Sequence, residues 1–173
     1  MTPTESAAAK PQLITPTFVL AWVANFCQFL VFYLFVTTMA LYAVESFGAS
    51  DTVGGFASSA FVLGATCMRV FSGWIVDRVG HKKAALTSLA FVTVVAVAYF
   101  FAHNVAVLII VRMVHGAGYA LTSTALMAVA QSVIPHERRA EGTGYFALGT
   151  TLATAFGPAI GLLLANNIGY TTL

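Results

Sequence analysis

The chain has 173 residues, of which 59% are hydrophobic and only 8% are charged, with a formal net charge of +2. Soluble domains carry about 25% charged residues, so this composition excludes a soluble globular protein and predicts an all-α integral membrane protein. The sequence contains no phosphate-binding loop, no metal-ligand spacing and no nucleophile with a base in reach. We therefore expect no enzyme activity, no cofactor, no metal and no nucleic-acid partner.

The chain begins with a polar, proline-containing stretch, residues 1–15, which we predict to be a disordered cytoplasmic tail. The first apolar run is about 27 residues long, which exceeds the 7–15 of a signal peptide. Crossing a bilayer takes about 20 apolar residues. Five segments meet this length and divide the rest of the chain, residues 16–173, into spans near 18–44, 52–76, 84–102, 105–133 and 142–165.

The first two spans contain a few polar side chains that are candidates for lining a cavity. In the first span these are Asn25, Gln28 and Tyr33, whose spacing places them near one helix face. In the second span the candidate is Arg69, because a charge inside a membrane helix is expensive and is a functional hypothesis by default. The alternative is that Arg69 only extends to the cytoplasmic interface.

The second span ends in the pattern G-x-x-x-D-R-x-G-x-K-K, formed by Gly73, Asp77, Arg78, Gly80, Lys82 and Lys83. The charges predict a seven-residue turn in water, Asp77–Lys83, between two membrane helices. The pattern resembles the loop between the second and third helices of major facilitator superfamily transporters, with His81 where the family usually has Arg. The resemblance implies that these six residues form a conformational gate.

The fourth span carries Arg112, His115, Gly116 and Tyr119 on one helix face. The string from Leu108 to Ala120 resembles the fourth-helix signature of proton-coupled members of the superfamily, with His115 where Gln is usual. This resemblance implies a role in proton coupling for Arg112 and His115, and Tyr119 is a further candidate for lining the cavity. The alternative for His115 is a structural histidine bonded to a backbone carbonyl.

The fifth span contains small residues and a proline, namely Gly144, Gly157, Pro158 and Gly161. Their spacing is similar to the fifth-helix motif of antiporters in the superfamily, although Ala153 and Leu162 stand where the family prefers Gly. The resemblance implies close helix packing and a bend, and it favours export. Simple helix packing is the alternative, because small residues let membrane helices approach each other closely.

The basic residues orient the predicted spans. Lys10, Arg78, Lys82, Lys83, Arg138 and Arg139 fall on one side, whereas the other side carries Glu45, Asp51 and His103. The positive-inside rule therefore predicts a cytoplasmic amino terminus in a multi-pass protein of the plasma membrane. No acidic residue lies inside a span, although many superfamily members use one there as a proton carrier.

The resemblance implies five helices of an amino-terminal six-helix half, from a truncated transporter of about twelve helices. The first hypothesis for function is part of a proton-coupled exporter of small organic compounds, similar to drug:proton antiporters, which works by alternating access. The alternatives are a proton-coupled importer of a sugar or metabolite and a non-transporting membrane scaffold. The expected partners are a small-molecule substrate, protons, the lipid bilayer and the remainder of the transporter.

Overall fold

A computed structural model of the chain describes residues 12–169. Within this range it contains five α-helices: α1 (Pro16–Phe47), α2 (Asp51–Val79), α3 (His81–Val97), α4 (Val105–Val133) and α5 (Arg139–Ile168). Short 3-10 turns, Ala98–Phe101 and His136–Arg138, follow α3 and precede α5. All five helices, α3 together with the 3-10 turn that follows it, are long and apolar enough to cross a membrane, which confirms the predicted fold class.

Local sequence signals explain where the helices begin. The hydroxyl of Thr15 accepts a hydrogen bond from the Phe18 backbone N–H, and Asn104 accepts one from Val107 in the same way. Such side chains satisfy N–H groups that have no partner in the first turn of a helix. Most of the predicted tail, residues 1–11, lies outside the described residues. Leu13, near its end, is buried in the packed part of the protein.

The predicted turn Asp77–Lys83 is wrong in its length. Helix α2 continues to Val79 and α3 begins at His81, so Gly80 alone connects them. The backbone of Gly80 has a φ of 92°, a conformation that favours glycine. The prediction took the charged residues as the limits of the helices. Helices of 29 residues are about 43 Å long and exceed a hydrocarbon core of about 30 Å, so their charged ends extend beyond it.

The helices pack in a few preferred pairs. Helix α2 packs along α4 and α1 packs along α5, while α3 lies against α4 and α1 also contacts α2 and α4. Small residues occupy the closest crossings: Gly64 and Gly116 between α2 and α4, and Gly157 and Gly161 between α5 and α1. Close approach of this kind is the main source of attraction between helices in lipid, where burial of apolar surface contributes little.

Buried side chains form three clusters, centred on the Phe18–Phe146 contact, on the Met39–Leu108 region and on Phe61 with Tyr119. The third of these clusters contains four aromatic rings, because Phe29 and Phe32 pack on Tyr119 with centroids 5.3 Å apart. The outward faces are rich in exposed large apolar side chains, as lipid contact requires. Rings of this cluster line the cavities that hold the candidate site residues.

Candidate transport site

Arg112 is a fully buried cation in the interior of a membrane-spanning helix. Its side chain is 0% exposed, and its Nη2 donates a hydrogen bond to the backbone carbonyl of Ser58 in α2 at 3.0 Å. The guanidinium carbon lies 4.8 Å from the centroid of the Phe61 ring, which gives a cation–π contact. Among the described residues, Nε and Nη1 have no hydrogen-bond acceptor. The Ser58 carbonyl and the Phe61 ring thus stabilise the charge, and two of the guanidinium nitrogens have no acceptor among the described residues.

His115 lies one turn after Arg112 and is also buried. Its Nδ1 is 3.0 Å from the hydroxyl of Tyr99, in the 3-10 turn that follows α3. The structural alternative for His115, a bond to a backbone carbonyl, has no counterpart among the described hydrogen bonds. Tyr99 was missed by the sequence analysis because the family signature covers only the fourth helix. A tyrosine sixteen residues before the histidine carries no sequence signal of its own.

The close crossing of α2 and α4 brings this cluster together. Both Gly64 and Gly116 lie where the backbones of the two helices touch, and a Cβ on Gly116 would be 2.8 Å from the carbonyl carbon of Phe61. Only glycine permits this approach. The crossing therefore explains how the Arg112 guanidinium on α4 reaches a backbone carbonyl on α2.

Gln28 and Tyr119 line a cavity of about 300 Å³ between α1, α3 and α4, and His115 lies on its wall. The Gln28 Nε2 donates to the backbone carbonyl of Tyr119 at 2.9 Å. The other amide atom, Oε1, is buried and has no donor among the described residues. The rest of the wall is mainly apolar, and its other polar residues are Thr93, His115 and Tyr119.

Asn25 and Arg69 line a second cavity of about 280 Å³, which we call the four-helix cavity because α1, α2, α4 and α5 all contribute to it. Its other lining residues are Phe29, Ser123, Thr124, Met127, Phe146 and Thr150. Arg69 and Tyr119 also line an adjoining cavity of about 240 Å³. The structure thus places two of the predicted cavity residues, Asn25 and Arg69, in one cavity.

Asn25 and Gln28 line different cavities, so the prediction that they share one cavity face is wrong. Tyr33 is not among the lining residues of the cavities described above, and its role in lining a cavity stays a prediction. The Tyr33 ring packs on Phe32 with centroids 4.9 Å apart, and its Cβ faces Gly157. The reason is geometric. At about 100° per residue, Gln28 and Tyr33 point to opposite sides of Asn25 and are about 140° apart around the helix.

The predicted gate residues lie at one end of α2 and α3. The Arg78 guanidinium stands 5.4 Å from the centroid of the Trp74 ring, and Asp77, Lys82 and Lys83 are exposed. Gly73 faces open space within the described part of the chain. The structure therefore groups the gate residues at one surface, and their role in gating stays a prediction.

The motif of the fifth span divides into two parts. A Cβ on Gly157 would lie 2.6 Å from the Tyr33 Cβ, and one on Gly161 would lie 2.9 Å from the Leu34 carbonyl oxygen. Pro158 lies inside an α-helix that continues on both sides of it. Gly144, in contrast, faces no described atom within 4 Å, so it has no packing partner among residues 12–169.

Comparison with known proteins agrees with the arrangement of helices. The family model of the Major Facilitator Superfamily matches residues 21–173, which include all five helices apart from the first turns of α1. The chain belongs to the major facilitator superfamily. Membership confirms the resemblance drawn from the loop and helix motifs.

Two similar proteins carry names that refer to export. The chain is 31% identical over 123 residues to the staphylopine export protein of Staphylococcus aureus, which covers 70% of this chain and 31% of that protein. It is 29% identical over 160 residues to a multi-drug resistance efflux pump of Streptococcus pneumoniae, which covers 89% and 39%. An uncharacterised transporter of the superfamily from Methanocaldococcus jannaschii is 28% identical over 148 residues. The chain thus spans less than two fifths of these relatives.

Proposed function

We propose that this chain is the amino-terminal part of a proton-coupled secondary transporter that exports small organic compounds by alternating access. The names of the two export proteins among its relatives support the direction of transport. The shares of 31% and 39% support a whole transporter that is more than twice as long. Its second half would close the pathway on the side where this chain leaves its cavities open.

The observation that carries the proposal is the buried guanidinium of Arg112. A charge at the centre of a membrane helix costs about 2.5–3.5 kcal/mol on insertion scales. Here the charge has one carbonyl acceptor, an aromatic ring and no described carboxylate. Such a cost is difficult to explain by packing alone, since an apolar residue would fill the same space more favourably. Coupling of transport to proton movement gives the charge a function.

His115 is the proposed proton carrier on this chain. No Asp or Glu lies inside the described helices away from their ends, and His115 is the titratable base beside Arg112. When neutral, the His115 Nδ1 is able to accept a hydrogen bond from the Tyr99 hydroxyl. A protonated imidazole has only donors, so the bond to Tyr99 would have to reverse. Protonation would also place a second positive charge beside Arg112, and both effects favour rearrangement of α4 against α3.

We further propose that the amino terminus lies in the cytoplasm and that the protein resides in the plasma membrane. Arg78, Lys82 and Lys83 lie where α2 meets α3, and Arg138 and Arg139 lie where α4 meets α5. In the helix order of the structure these two junctions belong to the same side of the membrane. The positive-inside rule supports the cytoplasm as that side.

Everted membrane vesicles from cells that express the complete transporter test this function. Respiration acidifies the vesicle interior, and an acridine dye reports the proton gradient. An exporter that exchanges substrate for protons releases protons when substrate is added outside, so dye fluorescence recovers. A symporter working as an importer gives no recovery, and a scaffold gives no substrate-dependent change with any compound. The Arg112→Ala variant serves as the control for coupling.

A further inference from the structure

The four-helix cavity carries an uncompensated positive charge. Arg69 is exposed at its wall, and no hydrogen bond or ion pair of the Arg69 guanidinium exists among residues 12–169. None of the described residues that line this cavity is acidic: Asp77 lies two turns later on α2, and Glu141 lies at the start of α5. Arg112, the buried cation of α4, has the same sign of charge. The wall of this cavity therefore carries a positive charge.

One neutral donor, the Thr150 hydroxyl, accompanies Arg69. Asn25 is 2% exposed, and its Nδ2 donates to the Thr150 hydroxyl oxygen at 3.4 Å. Because that oxygen already accepts from Asn25, its own hydrogen is available to an acceptor in the cavity, and no hydrogen bond donated by this hydroxyl exists among the described residues. Thr124 differs, since its hydroxyl already bonds the Ala120 carbonyl. The cavity thus presents a guanidinium fork and a hydroxyl donor.

The remaining walls are apolar. Phe29, Met127 and Phe146 line the four-helix cavity, and they offer contact to rings or aliphatic chains. An arginine fork matches the two oxygens of a carboxylate, whereas an ammonium group would be repelled by Arg69 and would find no carboxylate partner. A small ligand of about 280 Å³ with one anionic end and one apolar end fits these features.

We infer that the four-helix cavity binds small organic anions, with the ligand carboxylate on Arg69 and Thr150 and its apolar body against Phe29 and Met127. The inference rests on the proposed transport function and names the substrate class. Cationic organic compounds are excluded from this site. The selectivity for anions follows from the positive sign of the charge at the cavity wall. An acidic residue at the same place would reverse this selectivity.

Equilibrium binding to the 173-residue chain tests the inference, because every donor of the site lies on it. The chain is placed in nanodiscs of zwitterionic phosphatidylcholine, so that no anionic headgroup competes. The probes are 3-phenylpropionate, 3-phenylpropionamide and 3-phenylpropylamine, which share one apolar body and differ in charge. Ligand-observed NMR gives their dissociation constants. We expect the carboxylate to bind at least tenfold more tightly than the amide, and the amine to bind most weakly.

Variants separate the charge from the shape of the cavity. Arg69→Gln should weaken binding of the carboxylate by about 10- to 100-fold and leave the amide within about twofold, since a charge-assisted hydrogen bond is lost. Thr150→Val keeps the side-chain volume and should weaken the carboxylate by about 2- to 10-fold. Arg139→Gln removes an exposed cation outside the cavity and should change neither constant.

Several results would overturn the inference. One is equal or tighter binding of the amine, and another is no binding of the carboxylate at any soluble concentration. A third is a parallel loss of carboxylate and amide binding in Arg69→Gln, which would make Arg69 structural. Binding is measured without a proton gradient. If the vesicle assay fails but the expected binding order is found, the proposed proton-coupled export is contradicted and the anion site is not. If the complete transporter exchanges cationic compounds for protons, the anion site is contradicted and the proposed export function is not.

Discussion

The crossing of α2 and α4 at Gly116 makes a sharp prediction about stability. In Gly116→Ala the new Cβ would overlap the Phe61 carbonyl, lying 2.8 Å from its carbon, where ordinary contacts begin at 3.4 Å. The helices must separate by at least 0.6 Å to restore such a contact. Overpacking costs about 1–3 kcal/mol, and the upper end applies because the neighbour is backbone and cannot rotate away. Better helix propensity returns up to about 1 kcal/mol.

We therefore expect Gly116→Ala to lower the free energy of unfolding by about 2 kcal/mol. Gly64→Ala should have a similar effect, because its Cβ would meet the backbone of Met113 at the same crossing. One separation of the helices relieves both overlaps, so the double variant should lose clearly less than the sum of the single variants. Gly55→Ala is the matched control, since open space surrounds Gly55 in the same helix.

Equilibrium unfolding of the purified protein in mixed micelles of sodium dodecyl sulfate and dodecyl maltoside measures these differences. The control should unfold at the same or slightly higher denaturant fraction than the wild type. If Gly116→Ala stays within about 0.5 kcal/mol of the control, the two helices are not in backbone contact. The close crossing of α2 and α4 could then not account for the hydrogen bond between Arg112 and the Ser58 carbonyl.

Further predictions concern topology, coupling and the α1–α5 interface. In a cysteine-free background, Ala49→Cys should react with a membrane-impermeant thiol reagent from outside and Lys83→Cys should not; reversed labelling would refute the orientation. Arg112→Ala should abolish proton-coupled flux in the complete transporter, and Arg112→Lys should recover little because lysine lacks the planar fork; normal flux in either would refute the coupling role. His115→Gln should flatten the pH dependence of transport near neutrality, and an unchanged pH profile would make the imidazole structural. Gly157→Ala should destabilise the protein by about 1–3 kcal/mol in the same unfolding assay, and a neutral result would argue against close packing of α5 on α1.

The sequence was sufficient for the number and type of helices because hydrophobic length is a direct requirement of the bilayer. It also singled out Arg112, since a charge in a long apolar run is conspicuous. The sequence did not predict which groups contact that charge. Ser58 contributes a backbone carbonyl, a group that every residue has, and lies 54 residues away. The partner of Asn25, Thr150, is 125 residues away on α5 and resembles any other threonine.

Predictions of shared faces failed where they relied on approximate spacing. Asn25, Gln28 and Tyr33 are all polar positions on α1, yet they occupy different sides of the helix and contact different neighbours. The charged turn failed for a related reason. Polarity marks where the membrane ends, whereas a helix ends where its backbone conformation changes, and here that point is Gly80. A sequence therefore predicts the depth of a residue in the membrane better than it predicts which residues that residue contacts.

The two arginines inside the bundle differ in what stabilises them, and from this difference we propose different functions for them. Arg112 is fully buried and rests on the Ser58 carbonyl and the Phe61 ring, so its charge is held by fixed groups of the protein whether or not a ligand is present. Arg69 is exposed to the four-helix cavity and has no fixed partner among residues 12–169. A preorganised charge suits coupling, because its energy changes when α2 and α4 move. An unpaired charge at a cavity wall suits ligand selection, because its missing partner is the ligand itself. Substitution of Arg112 should therefore affect every substrate alike, whereas substitution of Arg69 should change which substrates are accepted.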